Sequence, residues 1–116
     1  MMMRAATNLK FDPVRSSGRG LSITLRKEDG EAAGLISSCF VSSNRGAFCS
    51  NLSPGYLTAS ASVFDLKTGK TVRVAEWTNS SCRRRVEADR AFRQWLRDEN
   101  IRGRVMQAAL DFELDK

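Results

Sequence analysis

Tyr56-Leu57-Thr58-Ala59-Ser60-Ala61-Ser62-Val63-Phe64 decides the fold. Leu57, Ala59, Ala61 and Val63 alternate with hydroxyl and aromatic residues, and this period of two gives an extended strand one apolar face and one polar face. The apolar face carries small side chains, so a helix can approach the backbone closely. The stretch therefore predicts a strand buried on one side and the surface on which a helix docks.

Downstream, Lys67-Thr68-Gly69 forms a hairpin loop with Gly69 in the left-handed conformation, and residues 71–77 return as the next strand. Upstream, Leu21, Ile23 and Leu25 alternate with Ser22, Thr24 and Arg26, Glu28-Asp29-Gly30-Glu31 makes a turn, and residues 34–41 run back to complete a second hairpin. Asn44-Arg45-Gly46 is a further turn, residues 47–50 read as a short third strand, and Leu52-Ser53-Pro54-Gly55 breaks the pattern. Residues 1–20 read as a flexible basic arm or an edge strand, with residues 9–14 interrupted by Pro13 and Ser-Ser-Gly-Arg-Gly as linker. Residues 21–116 read as a single α+β domain.

Residues 82–99 contain neither Gly nor Pro, and Ser80 or Ser81 can cap them as a helix. At about 100° per residue, Ala88, Ala91, Phe92, Trp95 and Leu96 fall within an arc of about 140°, a core-facing stripe. Residues 100–103 end that helix. Met106, Ala108, Leu110, Phe112 and Leu114 then alternate with Val105, Gln107, Ala109, Asp111 and Glu113, which predicts a final strand. The expected architecture is an α+β fold: an antiparallel sheet of about four to six strands with one amphipathic helix packed on one face.

Composition narrows the function classes. The 116 residues carry a formal charge of +6 with no histidine, and 41% hydrophobic residues suffice for the core of one domain. No apolar run approaches the roughly 20 residues that cross a bilayer, and the N-terminus lacks a secretory apolar core, although its Arg- and Ser-rich first 27 residues also fit a transit peptide. Cys39, Cys49 and Cys82 form an odd set without a CxxC spacing. Cys39 and Cys49, in segments that read as strands, are expected as small buried hydrophobes, and the odd set of thiols points to a reducing compartment, which places the protein in the cytoplasm. Without histidine the common zinc sets cannot be assembled, so no metal and no cofactor are expected.

The basic charge sits in two blocks. Residues 1–27 hold six basic and one acidic side chain, residues 82–104 hold eight and four, and the remainder sums to zero or below. Arg83, Arg84 and Arg85 stand at the start of the helix, where each opposes the macrodipole by about 0.3–1 kcal/mol. An anionic partner there would meet free backbone N–H groups and the positive dipole end together. Arg83, Arg90, Arg93 and Arg97 fall within an arc of roughly 80° opposite the apolar stripe and form a basic rail. Guanidinium groups suit phosphate because they stay charged and donate paired hydrogen bonds. The competing reading is a solvated face with local charge balance, Asp89 serving Arg93 and Glu87 serving Arg90.

A second candidate surface is the hydroxyl face of residues 56–64, with Arg73 and Trp77 on the next strand, on which single-stranded bases would stack. Arg4, Lys10, Arg15 and Arg19 would extend a phosphate track or simply solubilise the arm. Catalytic patterns are missing: no histidine base, phosphate-binding loop or nucleophile elbow, and only Asp111 and Glu113 as a carboxylate pair on one face of the last strand.

Two functions are expected from these features. One is a non-enzymatic protein that contacts nucleic-acid phosphates through Arg83, Arg84, Arg85, Arg90, Arg93 and Arg97. The other is a protein-binding inhibitor or adaptor, of the kind phages encode, that docks on an acidic surface of a nucleic-acid-processing complex. Neither involves a membrane.

Overall fold

The alternation of residues 56–64 is realised as the central strand of an antiparallel sheet. The computed structural model describes residues 8–41, 56–80, 82 and 84–114. In chain order they form β1 (Lys10–Phe11), β2 (Arg15–Ser17), β3 (Gly20–Arg26), β4 (Ala32–Val41), β5 (Tyr56–Phe64), β6 (Thr71–Asn79), α1 (Arg85–Asp98) and α2 (Ile101–Leu114). Four strands make a meander in the order β3-β4-β5-β6, and β1 and β2 both pair with the outer edge of β3. The expected strand at residues 47–50, with Cys49, lies outside the described residues.

Leu57, Ala59, Ala61 and Val63 are all buried, and the register sets Ile36 opposite Ala61 and Ile23 opposite Ile36. These residues, with Leu21 and Leu25, form the floor of the core. The small pair Ala59 and Ala61 lets two helices rest on this floor. Helix α1 packs over β3, β4 and β5, and α2 over β4, β5 and β6. Ala88, Phe92, Trp95 and Leu96 of the predicted stripe are buried, and complete burial of Phe92 contributes roughly 1.5–3 kcal/mol. Trp95 stacks on Trp77 of β6 with ring centroids 5.6 Å apart and planes 8° from parallel.

The C-terminal segment is a helix, not the strand its alternation predicts. The same residues also carry Ile101, Val105 and Ala109 at spacings of four, and these are the buried ones. Beyond Val105 the segment has no β-branched residue, while Met, Gln, Ala and Leu favour a helix. The expectation of one helix is thus corrected to two on the same face of the sheet. Helix α1 does end ahead of residues 100–103, at Asp98, but residues 101–103 already belong to α2. Asn100 adopts φ 49°, a left-handed residue that reverses the chain after α1, and its carbonyl accepts the Arg104 N–H at 3.0 Å to open α2. Gly103 sits inside the first turn of α2, where a Cβ would crowd the Asn100 side chain.

Helix α1 begins at Arg85 with Arg84 in the capping position, later than Ser80 or Ser81 would place it. Ser80 is exposed before the helix, and Cys82 is buried in the core between them. Gly69 has φ 78° in the β5–β6 loop, as its position predicts, and the buried Asp65 closes that loop by accepting the Lys67 N–H and the Thr68 hydroxyl. No helix among the described residues is long and apolar enough to cross a membrane.

Where β2 turns into β3 the backbone is held by side chains. Leu21 N–H donates to the buried Ser38 Oγ at 2.9 Å, and a Cβ on Gly20 would overlap the Ser38 backbone carbonyl. Gly20→Ala is expected to cost about 2–3 kcal/mol by overpacking, read as a lower urea midpoint with unchanged slope.

Candidate anion-binding surface

The charge pattern of α1 is set by its docking onto the β2–β3 hairpin. The Arg85 Nε donates to Asp89 at 3.0 Å, one Nη donates to the Gly18 carbonyl at 2.9 Å, and the other reaches the Gly20 carbonyl at 2.7 Å and Ser16 Oγ at 3.3 Å. Four acceptors therefore engage this half-buried guanidinium. Glu87 faces the helix start: it accepts the Arg84 backbone N–H at 3.2 Å and lies 4.0 Å from the Arg84 guanidinium. A carboxylate there satisfies a free N–H and the dipole together.

These two engagements remove the local charge balance that the spacing allows. Asp89 stands four residues from both Arg85 and Arg93, and it pairs with Arg85 because the Gly18 and Gly20 carbonyls draw that arginine inward. Arg90 and Arg93 are exposed and have no ion-pair partner among the described residues. Arg97, also exposed, bonds to neutral Gln94, whose amide in turn holds Asp98. Arg84 leaves 74% of its side chain in solvent. Arg83 lies outside the described residues.

One further residue of α1 joins this surface without a signal in the apolar or basic periodicity. Val86 is 53% exposed and shares the outer stripe with Arg90, Arg93 and Arg97 at spacings of four, seven and eleven. Arg102 is exposed on the first turn of α2, in a segment that reads as a helix breaker. Arg104 on the same helix is instead engaged, 3.6 Å from Glu99.

The opposite face of the sheet carries no helix among the described residues. Ser22, Ser37, Ser60 and Glu76 lie side by side across β3, β4, β5 and β6, flanked by Arg73 opposite Ser62. A shallow groove of about 350 Å³ runs between Ser37, Cys39, Thr58, Ser60, Arg73 and Glu76. Tyr56 is 40% exposed at the end of β5. The Trp77 ring is not offered for stacking on this face, because it packs on the core side against Trp95. Arg73 is paired with Glu76 at 3.0 Å.

The carboxylates of the C-terminal segment are separated by its helical form. Residues two apart on a helix diverge by about 200°, and Asp111 accepts from Gln107 while Glu113 approaches Lys27 at 3.6 Å. Ahead of α1, burial chiefly, and then the nearby Glu87 carboxylate, push the Cys82 thiol above its ordinary value of 9.0. Cys82 is thus a protonated core residue at neutral pH.

No family model matches the chain, and it matches neither a curated protein nor a solved structure.

Arg85→Met is expected to lower stability by about 1–2 kcal/mol because its acceptors go unpaired, whereas Arg93→Met stays within about 0.5 kcal/mol, both read by urea unfolding. Protonated Cys82 adds stability that is complete below pH 9.0 and lost above it, since the unfolded thiol ionises first. Between about pH 8 and about pH 10 the wild type should lose more stability than Cys82→Ala, and parallel pH profiles would contradict this.

Proposed function

We propose that the chain is a small non-enzymatic nucleic-acid-binding protein whose exposed α1 arginines, Arg90, Arg93 and Arg97 with Arg84 at the helix start, grip backbone phosphates. The observation that carries this reading is the engagement of Asp89 by Arg85 and of Glu87 by Arg84, which leaves Arg90 and Arg93 on one exposed stripe without an ion-pair partner among the described residues. A helix stripe of unpaired guanidinium groups attracts a polyanion, and neutralising phosphates releases counterions, so binding weakens steeply with salt. Phosphate contact carries no sequence information, and the expected binding is therefore sequence-independent. Arg85 supports the site by positioning α1 and leaves the set of contacting residues.

Val86 favours the second reading, an inhibitor or adaptor docking on an acidic protein surface. An apolar side chain exposed one turn ahead of Arg90 on a basic stripe gains nothing from phosphate and resembles the mixture of anchor and arginine found at protein interfaces.

Fluorescence anisotropy with labelled single- and double-stranded oligonucleotides between about 50 and about 200 mM salt separates the two. Changing Arg90, Arg93 and Arg97 together to Glu should weaken binding for every sequence and reduce the salt slope by about one for each phosphate that is no longer neutralised. Val86→Ser should leave it unchanged. Equal affinity of the triple variant and the wild type would refute phosphate contact through this stripe, and protein that binds neither oligonucleotide supports the adaptor.

A further inference from the structure

We infer that β6 is a self-complementary edge through which two copies of this chain join their sheets. Strand β6 is the last in the sheet, and no strand pairs with its outer edge among the described residues. Such an edge presents unpaired backbone groups, which proteins commonly protect with charges, bulges or a partner. Here the bulge and the charges fit a second copy of the same strand.

The ladder slips between Ala61/Ser62 of β5 and the facing residues of β6, so Val74 is the extra residue on β6. Val74 and Ala75 consequently both pack toward the core, as Trp77 also does. Arg73 and Glu76 both project to the open face, opposite Ser62 and Ser60. The faces along residues 71–78 thus read open, core, open, core, core, open, core, open, which is the same in either direction. An antiparallel pair requires opposed residues to share a face. Over this stretch the only self-pairing that meets the requirement places Val74 opposite Ala75 of the second copy.

That register brings complementary groups together at each step. Arg73 meets Glu76 of the other copy twice, once on each side of the two-fold axis, and Thr71 meets Thr78. On the core side Val72, which leaves 46% of its surface in solvent, meets the half-buried Trp77. Shifting the register so that Arg73 faces Arg73 or Glu76 faces Glu76 sets like charges together and also mismatches the faces. The axis runs perpendicular to the sheet, so the two helix layers lie on one side and the two hydroxyl faces join on the other. Two local contacts yield on pairing: the Arg73–Glu76 ion pair within one chain, at 3.0 Å, is exchanged for its intermolecular equivalent, and the long Arg104 bond to the Val74 carbonyl, at 3.4 Å, is released.

Sedimentation velocity of the full chain, without nucleic acid, tests this independently of the proposed phosphate binding. The wild type should pass from monomer to dimer as its concentration rises toward about 200 μM, a range that detects weak association. Arg73→Glu and Glu76→Arg should each raise the dimer dissociation constant by about tenfold or more, because each single variant opposes like charges at both symmetry-related positions. An equimolar mixture of the two single variants should dimerise again, since every opposed pair is then of opposite sign, and that recovery also shows both variants to be folded. A wild type that stays monomeric throughout overturns the inference. So do single variants that dimerise as the wild type does, or a mixture that fails to recover.

Discussion

The Arg85 guanidinium is held from two directions, by Asp89 on its own helix and by the Gly18 and Gly20 carbonyls of the β2–β3 hairpin. This clamp fixes the start of α1 against one edge of the sheet and thereby sets which side of the helix faces solvent. Because it consumes Asp89, it also decides the electrostatics of the exposed side. Fold and candidate site consequently share one interaction. A lysine would not reproduce it, since a point charge cannot span a carboxylate and two carbonyls with fixed, divergent donors.

The two faces of the sheet have separate roles built from a single alternation. On the core side the small residues of β5 make room for two helices at once, and the Trp77–Trp95 stack ties β6 to α1. On the other side the same strands present serine and threonine in rows. The bulge at Val74 gives β6 its symmetric pattern of faces by placing two consecutive residues on the core side.

Much of the sheet is legible in the residues. Alternation identifies β3, β5 and β6, and Gly69 marks the β5–β6 loop because a left-handed position tolerates few other residues. The α1 stripe is equally plain. The last element is not legible, because Met106 to Leu114 satisfies a period of two while Ile101, Val105 and Ala109 satisfy a period near four. Only the presence of a floor that accepts a second helix decides between them. Of the candidate site, the exposure of Arg90, Arg93 and Arg97 follows from the wheel, since they lie opposite residues that the core claims. That Arg93 has no ion-pair partner among the described residues does not follow, because Asp89 is equally spaced from Arg85 and Arg93.

By itself, then, the sequence determined the alternating strands, the apolar stripe of α1 and the concentration of arginine on the opposite side, since each is a matter of local period. Tertiary structure alone decided that α2 is a helix, that Arg85 belongs to the fold and not to the exposed stripe, and that Trp77 faces the core. Each of those outcomes depends on a partner far away in the chain: the β5 floor for α2, the hairpin carbonyls for Arg85, and Trp95 for Trp77.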